Sequence, residues 1–265
     1  GTNKENLTIG NILLHQAGLV AYIPFYKETL LADGAPSPIY FSNKKNDSFG
    51  IRVANNMYMR TDWRDTLYKR ILESRLGRSN KYIYSDNDFI FLGKIVEAIS
   101  GMPLDKYVEK EFYRPMGLTT AGFKPFEKFA LNRVVPTEHE KHFRQQLLHG
   151  DVHDPGSAMF GEVAGHAGLF SNAYDLGMIM QMLLNGGVLN GKRFLQKETI
   201  NLFTAYHSKI SRRGYGFDKP EKDNAIRKEP YPSSMISPQG FGHTGYTGTC
   251  VWVDPKYNLV YVFLS

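Results

Sequence analysis

Apolar residues recur at helical spacing through the middle of the chain. The clearest example is a segment in which Leu176, Ile179 and Leu183 fall on one face of a helix. Ser171 is the predicted N-cap of this helix, and Gly186-Gly187 end it. The same spacing predicts five further helices, over about 7–19, 62–76, 88–100, 103–112 and 196–206.

Hydroxyl and glycine residues mark the ends of several of these helices. Thr8 and Thr61 stand where an N-cap oxygen is needed. Gly18, Gly77 and Gly101 stand where a residue after the helix adopts the left-handed conformation. Short helices joined by tight turns are therefore predicted for the first part of the chain.

Near the C-terminal end, β-branched and aromatic residues replace the helical spacing. Two such runs, about 249–253 and 259–264, flank the turn Asp254-Pro255-Lys256-Tyr257-Asn258, which predicts a β-hairpin. Residues 20–60 and 208–240 are rich in proline and polar residues, so both are predicted to be long irregular loops. So long a loop as the first is usually a lid or a binding loop.

Helices first and strands last are typical of an α+β fold. We predict a helical lobe over about 8–185 beside an antiparallel sheet formed mainly by 208–265. The chain has 265 residues, 42% of them hydrophobic, which is enough for a large core. No apolar run approaches the roughly 18 residues of a membrane span, and none is expected.

The net charge of +6 is spread along the chain, with small basic pairs at Lys44-Lys45 and Arg212-Arg213. We interpret these pairs as solvated surface, because no long basic run with interleaved aromatic residues predicts nucleic-acid binding. Cys250 is the single cysteine, which excludes an internal disulfide and a cysteine-based metal cluster. It lies on a predicted strand and is interpreted as a small buried hydrophobic residue.

Candidate chemistry gathers just before the hairpin, in the stretch Gly242 to Asp254. Its glycines allow a ligand to approach the backbone closely. With His243 and several threonines, such a strand edge suits a carboxylate or a developing oxyanion. An ordinary glycine-rich turn is the alternative that the stretch alone leaves open.

Histidines elsewhere give weaker signals. A zinc set could be drawn from four residues of the middle of the chain: His149, His153, Asp154 and His166. Their spacing lacks a helical His-x-x-x-His pair, so no metal and no cofactor are predicted. His15 lies on an apolar turn and is interpreted as a hydrogen-bonded structural histidine.

Tyr84-Ser85-Asp86 and, far downstream, His243-Thr244-Gly245 resemble two of the three signature elements of the serine β-lactamase and penicillin-binding-protein superfamily, in its class C-like branch. Segments 13–19, 84–117 and 165–171 resemble further elements of that branch, in the same order. The residues of these segments are most similar to those of serine-hydrolase domains fused to family-3 glycoside hydrolases in Bacteroidetes-type bacteria.

The resemblance implies an α+β, β-lactamase/transpeptidase-like fold and a role for each matching residue. Tyr84 would move a proton between the nucleophile and the leaving group, Asp86 would orient the family's lysine, and His243 would add positive charge. The Tyr246 N–H would be an oxyanion donor. On the same stretch, the resemblance implies three substrate-binding residues: Thr244, Gly245 and Thr247.

The third signature element, Ser-x-x-Lys, does not precede His15 in this sequence, and Ser42-Asn43-Lys44-Lys45 lies in a polar loop. We therefore expect residues 1–265 to be a serine hydrolase domain lacking its N-terminal nucleophile segment, truncated at both ends and inactive as it stands. Whether it is an enzyme stays open. The alternative is a nucleophile-free module that binds cell-wall fragments beside a glycosidase. The resemblance implies a small-molecule or peptide substrate (cell-wall-like, ester or β-lactam) and a periplasmic or cell-envelope location.

Overall fold

The first part of the chain folds as short helices around a small sheet. The structure, a computed structural model, describes residues 1–79 and 81–265. The first elements are α1 (Ile9–Leu13), a 3-10 turn (Phe25–Thr29), β1 (Phe41–Ser42), β2 (Ile51–Ala54), β3 (Met57–Met59) and α2 (Trp63–Glu73). In the sheet, β3 lies between β1 and β2, and both pairings are antiparallel.

Helices dominate the middle of the chain. They are α3 (Asp86–Ser100), α4 (Leu104–Val108) with a π-helical turn (Glu109–Tyr113), and, after 3-10 turns at Pro125–Glu127 and Leu131–Arg133, α5 (Pro155–Met159), α6 (Ala173–Leu184) and α7 (Lys197–Thr204). Two short antiparallel pairs interrupt them: β4 (Glu138–His139) with β5 (Leu147–Leu148), and β6 (Val188–Leu189) with β7 (Lys192–Arg193).

A second three-stranded sheet ends the chain. Its strands are β8 (Phe241–Thr244), β9 (Cys250–Asp254) and β10 (Leu259–Phe263), with β9 in the centre and both pairings antiparallel. The predicted hairpin is confirmed as β9 and β10. Helix α6 packs against both of these strands. Opposite Val251 on the neighbouring strand lies His243, so the candidate stretch forms an edge of this sheet.

The largest apolar core lies between the first sheet and α2, α3 and α5. Helix α2 contributes Leu67 and Ile71, which are four residues apart on one face of the helix, and both are buried. Burial of such a side chain is worth about 1.5–3 kcal/mol, whereas an N-cap is worth about 1 kcal/mol. This explains why α2 forms although no side chain caps it.

One of the three predicted N-caps is confirmed. The Thr8 hydroxyl accepts the Asn11 N–H at 3.3 Å. The prediction for Thr61 was wrong, because its hydroxyl bonds the backbone of the loop before β2 instead. The prediction for Ser171 was also wrong, because the next residue, Asn172, caps α6 with its amide oxygen.

Helix α1 ends earlier than predicted, at Leu13, because the chain then turns at His15, whose φ is 56°. Gly18, with φ 80°, is therefore not the end of the helix. Its carbonyl accepts the Gly77 N–H at 2.7 Å, and a Cβ at Gly18 would stand 2.6 Å from the Gly77 oxygen. The glycine allows two segments to meet. Gly101, with φ 68°, ends α3 as predicted.

Residues 20–60, predicted as an irregular loop, contain β1, β2 and β3. These strands have two, four and three residues, too few to show an alternating pattern in the sequence. Residues 208–240 have neither helix nor strand, as predicted. Within 1–79 and 81–265, no helix has both the length and the apolar character that crossing a membrane requires.

Candidate active site

Tyr84 lies just before α3, on a segment fixed by the chain near α1. The Ser85 hydroxyl and the Asn87 amide both donate to the Val20 carbonyl, at 2.7 and 2.8 Å. The Asp86 N–H donates to the Ala21 carbonyl at 3.0 Å. With its neighbours held in this way, Tyr84 presents a side chain that is 47% exposed.

The floor beneath Tyr84 is the ring of His15, whose centroid lies 4.4 Å from that of the tyrosine. His15 is buried, and its Nδ1 lies 2.8 Å from Asp88 Oδ2 and accepts the Ser85 N–H at 3.2 Å. Burial lowers the pKa of His15 to about 3, and Arg213 adds to this effect. Burial also raises the pKa of Asp88 to about 8.

These shifts make the His15–Asp88 pair neutral near pH 7. Burial favours a neutral imidazole and a protonated carboxyl, with the short contact between them joining His15 Nδ1 and Asp88 Oδ2. The floor of the site is therefore uncharged. His15 is a hydrogen-bonded structural residue, as predicted, although the sequence did not show that it lies under the tyrosine.

His243 on β8 stands beside Tyr84, with 6.2 Å between the ring centroids. Its Nδ1 lies 2.7 Å from the Thr244 carbonyl, and its Nε2 lies 2.9 Å from Arg213 Nη1. Burial and the arginine both lower the pKa of His243. The structure thus brings Tyr84 and His243 together but does not give His243 the positive charge that the sequence analysis expected of it.

Arg213 is the charged residue next to both rings. It is only 4% exposed, and its guanidinium lies 5.2 Å from the centre of the Tyr84 ring. Its Nε donates to the Tyr82 oxygen at 3.3 Å and lies 3.7 Å from Asp218. Arg212 binds the same aspartate through two bonds, of 2.7 and 3.0 Å.

The interpretation of Arg212-Arg213 as solvated surface was therefore wrong for Arg213. The run from Gly214 to Asp218 that follows was the available signal. Its carboxylate, Asp218, supplies the countercharge that a buried arginine needs, whereas the aromatic rings beside the guanidinium are those of Tyr82 and Tyr84.

An acidic group lies around Asp86. Oxygens of Asp86 and Asp154 and a ring nitrogen of His166 lie within 4.8 Å of one another. The His166 Nε2 donates to Asp154 at 2.8 Å. Burial works against the charged form of Asp154, but the bonds from His166 and from the Ser157 N–H outweigh it and lower the pKa of Asp154. Burial raises the pKa of Asp86, although His166 opposes the rise.

The zinc set considered from the sequence does not converge. His149 donates to the Val134 carbonyl, and His153 lies 3.0 Å from Glu138. Asp154 and His166 do meet, and Asp86 joins them. Carboxylate oxygens and an imidazole are possible ligands for a divalent cation, but the His166–Asp154 bond already pairs two of the three groups.

Tyr246 and Thr247 lie on the turn between β8 and β9. The Gly245 N–H closes this turn on the Thr249 carbonyl at 2.7 Å. Tyr246 is 91% exposed, and its ring stacks on His153 with centroids 4.8 Å apart. The turn therefore connects the sheet edge that carries His243 with the segment that carries Asp154, while Thr247 stays exposed to solvent.

Residues 1–265 match the model of a protein family described as Beta-lactamase. Curated relatives include two proteins named "Putative D-alanyl-D-alanine carboxypeptidase". The protein of Escherichia coli K12 is 38% identical over 198 residues, which are 70% of this chain and 45% of the relative. The protein of Salmonella enteritidis PT4 is 36% identical over 274 residues, 99% of this chain and 57% of the relative. This chain thus spans about half the length of these relatives.

Solved structures share the fold at lower identity. Simvastatin synthase from Aspergillus terreus superposes with a TM-score of 0.63 at 18% identity, covering 97% of this chain and 62% of that one. A penicillin-binding protein from Bacillus halodurans gives 0.61 at 16% identity, covering 98% and 69%. Such identities show the fold alone, and they confirm the predicted β-lactamase/transpeptidase-like fold.

Proposed function

The chain belongs to the β-lactamase family, and from that premise we propose that residues 1–265 supply two walls of a serine acyl-transfer site. In the complete site, a serine hydroxyl attacks the substrate carbonyl and its proton passes to the Tyr84 oxygen. The same proton then goes to the leaving group, and water hydrolyses the acyl-enzyme. We propose a D-amino-acid peptide of cell-wall type as the substrate, with esters and β-lactams as the other classes to be assayed.

The observation that carries this proposal is the environment of Tyr84. A free tyrosine has a pKa near 10, so it accepts a proton only where its ionised form is stabilised. Burial raises the pKa of Tyr84, but the nearby Arg213 opposes the rise. The His15 floor is neutral and adds no opposing negative charge, which suits a tyrosine that must hold and release a proton.

The other site residues take roles that fit their positions. His243, Thr244 and Gly245 form the strand edge along which an extended peptide would pair. The Tyr246 N–H is the proposed oxyanion donor, since no described residue accepts a hydrogen bond from it. Thr247 is the proposed outer substrate contact, and Asp86 is proposed to orient the lysine of a Ser-x-x-Lys element.

We propose that this element lies in the parent protein outside residues 1–265. In support, this chain covers only 45% and 57% of the lengths of the two relatives. The internal Ser42 is a poor nucleophile, because its hydroxyl donates to the Lys44 carbonyl at 2.9 Å and accepts the Lys44 N–H at 3.1 Å. These bonds hold it in a local turn.

Labelling with a fluorescent penicillin and a fluorophosphonate tests this proposal. We expect residues 1–265 to remain unlabelled and the parent with Ser-x-x-Lys to be acylated. In the parent, Tyr84→Phe should slow acylation by about 10²–10⁴-fold, whereas Tyr174→Phe, on the exposed face of α6, should not. Stoichiometric labelling of Ser42, lost in Ser42→Ala, would overturn the assignment.

The binding-module alternative has its own readout. Without a nucleophile, the strand edge and Tyr84 could still hold a cell-wall fragment beside a fused glycoside hydrolase in the cell envelope. The turn that occupies Ser42 favours this reading for residues 1–265 taken alone. Saturable binding of a D-alanyl-D-alanine peptide by a parent that is never acylated would decide for it.

A further inference from the structure

We propose that Arg213 is the permanent positive charge of this site, and that it holds His243 as a neutral imidazole with its proton on Nδ1. The inference rests on the proposed function only in assigning the proton transfer to Tyr84. The charge state itself is a property of residues 1–265. It makes Arg213 a positioning residue, which acts through His243 and through its field on Tyr84.

The directions of two hydrogen bonds carry the argument. A guanidinium has donors and no acceptor, so Arg213 Nη1 donates into His243 Nε2 across 2.9 Å. A carbonyl oxygen only accepts, so His243 Nδ1 donates to Thr244 across 2.7 Å. A proton on Nε2 would face the guanidinium and place two positive donors against each other. The neutral form with Nδ1–H satisfies both contacts.

The surroundings explain why the histidine rather than the arginine loses its charge. An arginine stays protonated in proteins, whereas a histidine releases its proton near neutral pH. The titratable groups that face His243 are Arg213, Asp218, Tyr84 and His15. Asp218 is the only carboxylate among these four, and it is shared with Arg212. The local balance therefore favours a neutral imidazole.

The consequence for Tyr84 is a field that does not titrate. If His243 carried the charge, the site would lose its cation as the pH rose through the ordinary pKa of histidine, 6.5. A guanidinium does not lose its charge over that range. The phenolate form of Tyr84 is then stabilised equally on both sides of neutral pH. His243 connects the arginine to the backbone of β8 through its two hydrogen bonds.

Nuclear magnetic resonance of residues 1–265 with ¹⁵N-labelled histidine tests the charge state. Between about pH 5 and 8, we expect His243 to keep its Nδ1–H tautomer and not to titrate, with signals assigned through His243→Gln. In Arg213→Met, the pKa of His243 should rise toward 6.5. Arg212→Met is the matched control, since Arg212 binds the same aspartate but not the histidine. It should leave His243 neutral.

A titrating His243 in the unaltered chain would overturn the proposal. A second readout follows Tyr84 through a ¹³C label at tyrosine Cζ, assigned with Tyr84→Phe. We expect Arg213→Met to raise the pKa of Tyr84 by about one unit or more. An unchanged pKa would show that Arg213 does not stabilise the ionised form of Tyr84. If the parent proves inactive while both results hold, the proposed function fails and the charge assignment stands.

Discussion

Two arginines, Arg52 and Arg213, each pair with a buried aspartate and lie near aromatic rings, yet Arg52 faces two carboxylates and Arg213 faces one. Arg52 bonds Asp151 at 2.8 Å, stacks 4.1 Å from the Phe126 ring and has a second carboxylate, Glu162, at 3.9 Å. Arg52 therefore faces two carboxylates, and we call this group the acidic cluster.

Around Asp218 two arginines share one aspartate, and we call this group the basic cluster. Arg212 and Arg213 both face this aspartate, and the Tyr231 hydroxyl donates to it at 2.7 Å. Arg212 also reaches a half-buried carboxylate, Glu221, at 3.0 Å. Arg213 has no second acid near it among the described residues, and its remaining neighbours are Tyr82, Tyr84 and His243.

In each cluster, one titratable side chain is shifted toward its neutral form. In the acidic cluster, burial raises the pKa of Glu162 to about 9, with a further rise from Asp151, so the glutamate holds a proton. In the basic cluster, His243 gives its proton up. The acidic cluster is closed within the core, whereas the basic cluster opens on the candidate active site. Burial favours the neutral form of both side chains, and a like-charged neighbour adds to it: Asp151 for Glu162 and Arg213 for His243.

The comparison predicts unequal stability losses when each arginine is removed. Arg52→Met leaves the fully buried Asp151 without its cation, and we expect a loss of about 3–5 kcal/mol. Arg213→Met leaves Asp218 still bonded twice by Arg212, so about 1–3 kcal/mol is expected. Urea unfolding followed by circular dichroism measures both. Equal losses would contradict the idea that the second arginine compensates.

A second prediction concerns pH and the acidic cluster. Glu162 is protonated in the folded state up to about pH 9, but in the unfolded state only below its ordinary pKa of 4.5. Folding therefore binds a proton between these values, and stability falls as the pH rises through that window. Glu162→Gln mimics the neutral form and should flatten this slope, making the variant the more stable protein in the upper part of the window.

Urea midpoints across the window test this prediction, with the exposed Glu73→Gln as the control. Parallel pH profiles for Glu162→Gln and the unaltered chain would show that the glutamate is ionised in the fold. The acidic cluster would then have no neutral member.

The smallest effect is expected for Asp88→Asn, beside the basic cluster. A protonated Asp88 donates to His15 Nδ1, and an asparagine amide can donate in its place. Below pH 3.8, where the carboxyl is protonated in the folded and the unfolded state, the loss should not exceed about 1 kcal/mol. In the unaltered chain, the free energy of unfolding should fall as the pH rises from 3.8 to about 8, because only the folded state keeps the Asp88 proton. This fall should be absent in Asp88→Asn. A loss as large as that of Arg52→Met would mean that the pair is charged.

Much of this site was predictable because its signature residues keep their order in the sequence. Tyr84 and His243 were placed in one site through the family resemblance, and the β9–β10 hairpin followed from its turn residues. The charge of His243 was not predictable, because it depends on Arg213, thirty residues away in the chain. No local pattern records such a contact.

The errors in local structure have a similar origin. Ser171 and Asn172 are both good N-cap residues, and only the geometry of α6 selects the second. Strands β1 to β3 are so short that their pairing in space, not their pattern, defines them. The end of α1 depends on the contact of His15 with Asp88, which comes from another helix.

The attachment of the Tyr84 segment to the chain near α1 has a consequence for recombining domains. Residues 83–87 bond to the backbone of residues 15–21 at four points, through Ile83, Ser85, Asp86 and Asn87. The segment that carries Tyr84 and residues 15–21 therefore form one structural unit. A chimera that takes the Tyr84 segment from one relative and residues 15–21 from another would inherit mismatched halves, so crossover points belong outside residues 15–87.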